Sequence, residues 1–110
     1  MDKKKIIFLL KTLVESLVNK EYSTIEKSGE SGEYNAEELK YLVEEYGGNI
    51  TTPPEEDYNN INIIKIESEP EFAIEYELWV DNEKSDLTLS ASIRLNESER
   101  KIIIENIHVL

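Results

Sequence analysis

The side chains able to do chemistry in this 110-residue chain are 24 carboxylates and a single histidine, with no cysteine. The missing cysteines remove a disulfide framework, a thiolate nucleophile and a thiolate metal site. His108 would need an orienting partner and a cleft to act as a general base. Its strand neighbours Asn106 and Leu110 offer neither, so a strand histidine with a satisfied hydrogen bond is expected. A Ser-His-acid device would depend on that same residue, and no Gly-x-Ser-x-Gly elbow accompanies it. Glycine occurs only at Gly29, Gly32, Gly47 and Gly48, which leaves no phosphate-cradling loop. Glu75 and Glu77 on one strand face stand roughly 7 Å apart, a separation used by glycosidase carboxylates. A chain this acidic produces such pairs by chance. Asp81, Glu83 and Ser85 alternate like a calcium loop but lack its glycine and its closing glutamate. The sequence therefore reads as a non-enzyme, with no cofactor and no metal.

Charge arrangement is the more informative feature. Twelve Lys and Arg against 24 acids give a net charge of −12, the wrong sign for binding a phosphate backbone. Strand alternation turns Glu71, Glu75, Glu77 and Trp79 outward, beside Thr88, Ser90, Ser92 and Arg94. Trp79 is the only tryptophan, and an aromatic side chain ringed by charge has the composition of a protein-binding hot spot. The plainer alternative packs Trp79 on a loop or on the stem of Arg94. Acids in the 55–57 loop and Asp81, Glu83 and Asp86 in the 81–86 loop would extend the patch. Such a face would attract a basic protein and hold it in a salt-dependent way.

The elements that position these residues follow from periodicity. Ile6, Ile7, Leu10, Leu13, Val14, Leu17 and Val18 recur at the helical period, which predicts a helix over residues 3–20. Five lysines make residues 1–20 locally basic, at +3, so residues 21–110 carry −15. Tyr22 to Lys27 extends this helix or forms a short second piece. Residues 28–32 read as a glycine-punctuated loop. Asn35 with Glu38 has capping-box spacing, and Leu39, Leu42, Val43 and Tyr46 stripe a helix over 36–46 that Gly47-Gly48 stops. Glu44 and Glu45 in its last turn oppose the helix dipole. Pro53-Pro54 makes residues 49–58 an extended connector.

The period then becomes two. Phe72 to Val80 and Leu87 to Leu95 read as paired strands, with Val80 opposite Leu87, Leu78 opposite Leu89, Tyr76 opposite Ala91 and Ile74 opposite Ile93. Strands over 61–67 and 101–110 flank them. Ile63-Ile64 and Ile102-Ile103-Ile104 put apolar groups on both faces there, which implies a bulge or a covered face. An uncovered outer edge on either flanking strand would invite association between chains.

With 39% hydrophobic residues in ordered blocks, the chain is a single α+β domain: two N-terminal helices packed on a four-stranded antiparallel meander. A curved, cystatin-like or cone-like sheet is a close variant. The apolar run after Lys3-Lys4-Lys5 stops at Lys11, too short for a secretory signal, and no stretch is long enough to span a bilayer. The cytoplasm is the expected compartment. Sequons at Asn49 and Asn96 carry little meaning without a signal peptide.

Glu45-Tyr46-Gly47-Gly48 with Pro53-Pro54, the run Ser85 to Ser90, and the ending Ile107-His108-Val109-Leu110 resemble a family of small bacterial domains without an assigned activity. The resemblance covers about residues 36–110. It implies no catalytic residues. Small acidic proteins of this type are similar to the immunity proteins that neutralise secreted polymorphic toxins. The expected function is accordingly a toxin-binding protein whose partner is basic. The alternatives are an accessory or scaffold domain, or a small-ligand cone lined by Tyr22, Tyr41, Tyr46, Tyr76 and His108.

Overall fold

The computed structural model describes residues 3–66, 71–96 and 98–109. Helix α1 (Lys3–Val18) buries Ile6, Leu10, Leu13, Val14 and Leu17, one stripe at the helical period. Leu10 and Leu17 are almost fully buried, each contributing about 2 kcal/mol of apolar burial. The helix stops earlier than expected. Lys20 adopts a left-handed φ of 56°, while the Lys20 and Glu21 amides turn back to the Leu17 and Ser16 carbonyls. This Schellman geometry separates α1 from a distinct α2 (Tyr22–Lys27).

Helix α3 (Ala36–Glu44) starts with the expected capping box. The Glu38 amide donates to Asn35 Oδ1 at 2.8 Å and the Asn35 amide to Glu38 Oε1 at 3.0 Å. Glu44 at its far end accepts from the Tyr22 hydroxyl at 3.3 Å, so one of the two ill-placed last-turn acids joins α3 to α2.

The sheet has five strands, not four: β1 (Ile50–Thr51), β2 (Asn62–Ile66), β3 (Glu71–Val80), β4 (Glu83–Leu95) and β5 (Arg100–Val109). All pairings are antiparallel, and β1 and β2 share one edge of β3 end to end. The connector expected to be extended instead contributes β1 and, after Pro53-Pro54, a 3-10 helix over Glu55–Asn60. That helix bridges β1 and β2 beside Tyr76 to Leu78, the stretch of β3 that neither strand pairs. The inward residues of β3, β4 and β5 form one buried cluster with the α1 stripe. The helices therefore lie on one face of an open sheet.

The expected β3–β4 register needs correction. Tyr76 stands opposite Leu89, Ile74 opposite Ala91 and Phe72 opposite Ile93, two residues from the predicted pairing. Apolar alternation fixes which face a side chain takes, but a slide of two preserves every face. The turn decides between the two. Asp81 and Asn82 both adopt positive φ, 50° and 65°, and close a two-residue hairpin between Val80 and Glu83. A bulge opposite Leu78 absorbs the extra β4 residues. There Ser85 Oγ donates to the Leu78 carbonyl at 2.6 Å and accepts from the Leu87 amide. In β5 a bulge at Glu105 shifts the alternation, so that Ile102, Ile104 and Ile107 all reach the core.

Candidate functional site

The residues expected to form one acidic face divide into separate local groups. Glu71 faces Arg94 across the strands and accepts from its guanidinium at 3.1 Å. Glu75 is half-buried opposite Ser90, and Glu77 lies 3.7 Å from the Lys84 ammonium. Asp81 folds back to accept from the Asn49 amide, Glu83 is exposed, and Asp86 accepts from the Tyr46 hydroxyl at 2.7 Å. Asp81 and Ser85 are thus committed to the turn and the bulge rather than to a calcium loop. Among the described residues no group of three or more His, Asp or Glu is placed to hold a metal ion.

Trp79 is not the exposed aromatic anchor the alternation predicts. It is half-buried, and its indole N–H donates to Asp57 Oδ2 at 2.9 Å. The cause is the 3-10 helix, which carries Asp57 to the gap between β1 and β2. Asp57, 7% exposed, accepts four side-chain hydrogen bonds, two on each oxygen. Tyr76 Oη at 2.6 Å and Trp79 Nε1 converge on Oδ2, while Asn60 Nδ2 at 3.0 Å and Lys84 Nζ at 3.3 Å converge on Oδ1. Burial pushes the Asp57 carboxyl up, but the bonds from Tyr76, Trp79, Asn60 and Lys84 together hold it below its ordinary range. Burial and then the Asp57 carboxylate raise the Tyr76 phenol, which stays a donor.

Tyr58 stacks on Tyr76, ring centroids 5.5 Å apart, and its buried hydroxyl has no hydrogen-bond partner among the described residues. Burial, followed by the charges of Glu15, Glu55 and Asp57, pushes its phenol up to about 12. A buried unpaired hydroxyl carries a desolvation penalty. Tyr58→Phe is therefore expected to leave stability unchanged or raise it by about 1 kcal/mol in urea denaturation. A loss larger than that would mean the hydroxyl has a partner.

His108 behaves as its sequence context predicts, with Nε2 3.2 Å from Ser90 Oγ. The pair lies diagonally across β4 and β5, where Ser90 stands opposite Asn106 and His108 opposite Thr88. Of the residues expected to line a ligand cavity, Tyr22 and Tyr76 are buried and bonded to Glu44 and Asp57, whereas Tyr41 is 63% exposed. They do not meet in one chamber.

An external groove along α3, bordered at one end by β5, is the surface the sequence reading missed. It consists of two depressions of about 330 and 380 Å³ that share Leu42. Tyr34 and Tyr41 line the first, and Tyr46, His108 and Val109 the second. Glu37, Glu38 and Glu45 line it as well, and Val109 is 53% exposed. The available signal was Tyr41, which falls outside the buried stripe of its helix. A tyrosine on the outer face of a short amphipathic helix is free to make contacts beyond the domain.

No helix among the described residues is long and apolar enough to cross a membrane. The chain belongs to the family described as a domain of unknown function (DUF7668), whose model matches residues 14–110, from the last turns of α1 onward. No curated protein and no solved structure matches the chain.

Proposed function

We propose that this member of the DUF7668 family is a non-catalytic protein-binding domain that takes up a basic partner, in the manner of an immunity protein neutralising a toxin. The α3–β5 groove carries this reading, because exposed Tyr41, Tyr46 and Val109, with half-buried Leu42, sit there among Glu37, Glu38 and Glu45. Tyrosine supplies large contact area at low conformational cost, and its ring face attracts Lys or Arg. The carboxylates steer a cationic segment towards those rings. Glu37 and Glu45 have no ion-pair partner among the described residues, so their charge is available. Glu71 and Glu77, on the strands, are already offset by Arg94 and Lys84.

The test is recovery of the partner from the producing cell at low salt and again at about 0.5 M salt, where the Debye length falls to roughly 4 Å. A basic protein held at low salt and weakened at high salt is expected. Co-expression should relieve that protein's toxicity. With the purified pair, Tyr41→Ala combined with Glu45→Lys should lower affinity at least 30-fold, about 2 kcal/mol at a hot spot. Glu75→Lys with Glu77→Lys should change it far less. The reverse ranking would move the binding surface to the strands, and a partner indifferent to salt would sink the electrostatic reading.

A further inference from the structure

The two edges of the sheet are treated differently. Along β5 the loop between α2 and α3 lies against the strand: the Ile104 amide donates to the Glu30 carbonyl at 2.7 Å, and Tyr34 Oη donates to the Glu105 carbonyl at 3.3 Å. At the opposite side β2 pairs with β3, and its outer edge meets no other strand among the described residues. Ile64 and Ile66 stand on the uncovered face of this edge, 51% and 37% exposed. Ile64 ends a cross-sheet row that runs through Ala73 and Ser92 to Ile103. An edge strand rich in β-branched residues with open backbone groups is a template for another strand.

Charge selects the occupant. In a chain of net charge −12, β2 has no carboxylate and a single cation, Lys65. The longer strands β3, β4 and β5 each carry at least one acid. β2 itself adds no carboxylate to the repulsion between two acidic copies. The strand is also self-complementary. In antiparallel pairing about Ile64, that residue meets its own copy, Ile66 meets Asn62, and Lys65 meets Ile63 instead of another lysine. We propose that β2 pairs with β2 of a second copy across a two-fold axis at Ile64, joining two five-stranded sheets into one. Ile64 and its copy then join Ala73 of each sheet in one apolar row at the centre of the joined sheet.

A short strand pair is a small interface, so the dimer is weak, with a dissociation constant of order 10–100 µM. Salt screens the repulsion between two acidic copies and tightens it. This sign is opposite to that expected for a basic partner, so the two readings fail separately. Sedimentation equilibrium of the full chain, from about 10 µM to about 1 mM in 0.1 and 0.5 M NaCl, reads the result. The expected outcome is a monomer–dimer equilibrium that strengthens with salt. Ile64→Lys, at a half-exposed side chain, should weaken it at least tenfold while the near-ultraviolet signal of Trp79 is unchanged. Ile66→Lys is expected to act the same way and replaces it should Ile64→Lys lose that signal. A monomer at about 1 mM in 0.5 M salt overturns the proposal, as does a dimer insensitive to both variants.

Discussion

Asp57→Asn is expected to lower folding stability by roughly 2–5 kcal/mol, the cost of disabling a buried, fully engaged carboxylate. The substitution is nearly isosteric, so the loss would come from chemistry, not volume. Each carboxylate oxygen accepts two donors, Tyr76 and Trp79 on one and Asn60 and Lys84 on the other. An amide retains one acceptor and turns an NH2 group towards the other pair, which leaves two donors unpaired against a third. The Asp57 carboxyl is held below its ordinary value in the fold, so its contribution is complete above the unfolded carboxylate range. It is lost as pH falls through the lowered folded value. Urea denaturation followed by the fluorescence of Trp79 should thus show a gap between wild type and variant that is full at neutral pH and narrows under acid. A pH-independent gap would mean that Asp57 acts by shape alone.

This node explains what was legible in the sequence and what was not. The α1 stripe and the Asn35–Glu38 box are local patterns that appear where expected, and of the two readings open for Ile102-Ile103-Ile104 β5 has the bulge, one residue further on at Glu105. The β3–β4 slide is not local. Two registers satisfy the same alternation, and only the left-handed pair Asp81-Asn82 with the Ser85 bulge distinguishes them. Asp57 was hidden for a related reason. In the run Glu55-Glu56-Asp57 it looks like one more solvated acid. Its burial arises from partners 19, 22 and 27 residues away, at Tyr76, Trp79 and Lys84. Alternation therefore placed Trp79 among the outward residues, yet its N–H was already committed. The periodicity of α3 marks Tyr41 only by leaving it outside the buried stripe, because burial patterns report what a helix hides and not what its outer face binds.

The same bonds shape the surface that a partner meets. Lys84 and Arg94 are drawn onto Asp57, Glu77 and Glu71, which lowers the net charge of the strand face. The acids around α3 have less such compensation, since the helix has Lys40 as its only cation. A steering field concentrated at α3, at the opposite side of the sheet from β2, lets a basic partner and a second copy bind without competing for one surface.

Gly32→Ala should cost roughly 2–4 kcal/mol, whereas Gly47→Ala should cost about 1 kcal/mol, although both glycines have positive φ. The shared part is the left-handed backbone, 63° at Gly32 and 91° at Gly47. The difference is what a methyl group would meet. At Gly32 it would stand 2.6 Å from the Ile104 carbonyl oxygen and 3.1 Å from Ile103 Cγ2, whereas at Gly47 nothing lies within 4 Å. The Gly32 variant can relieve that contact only by lifting the loop from β5, which also breaks the bond from the Ile104 amide to Glu30. Lifting the loop uncovers the second sheet edge, so Gly32→Ala should associate more strongly than wild type, and Ile64→Lys should not suppress the excess. Urea midpoints and light scattering of the two glycine variants decide the matter. Equal costs and equal scattering would show that the loop is not pressed on β5 and that its glycine serves only the turn.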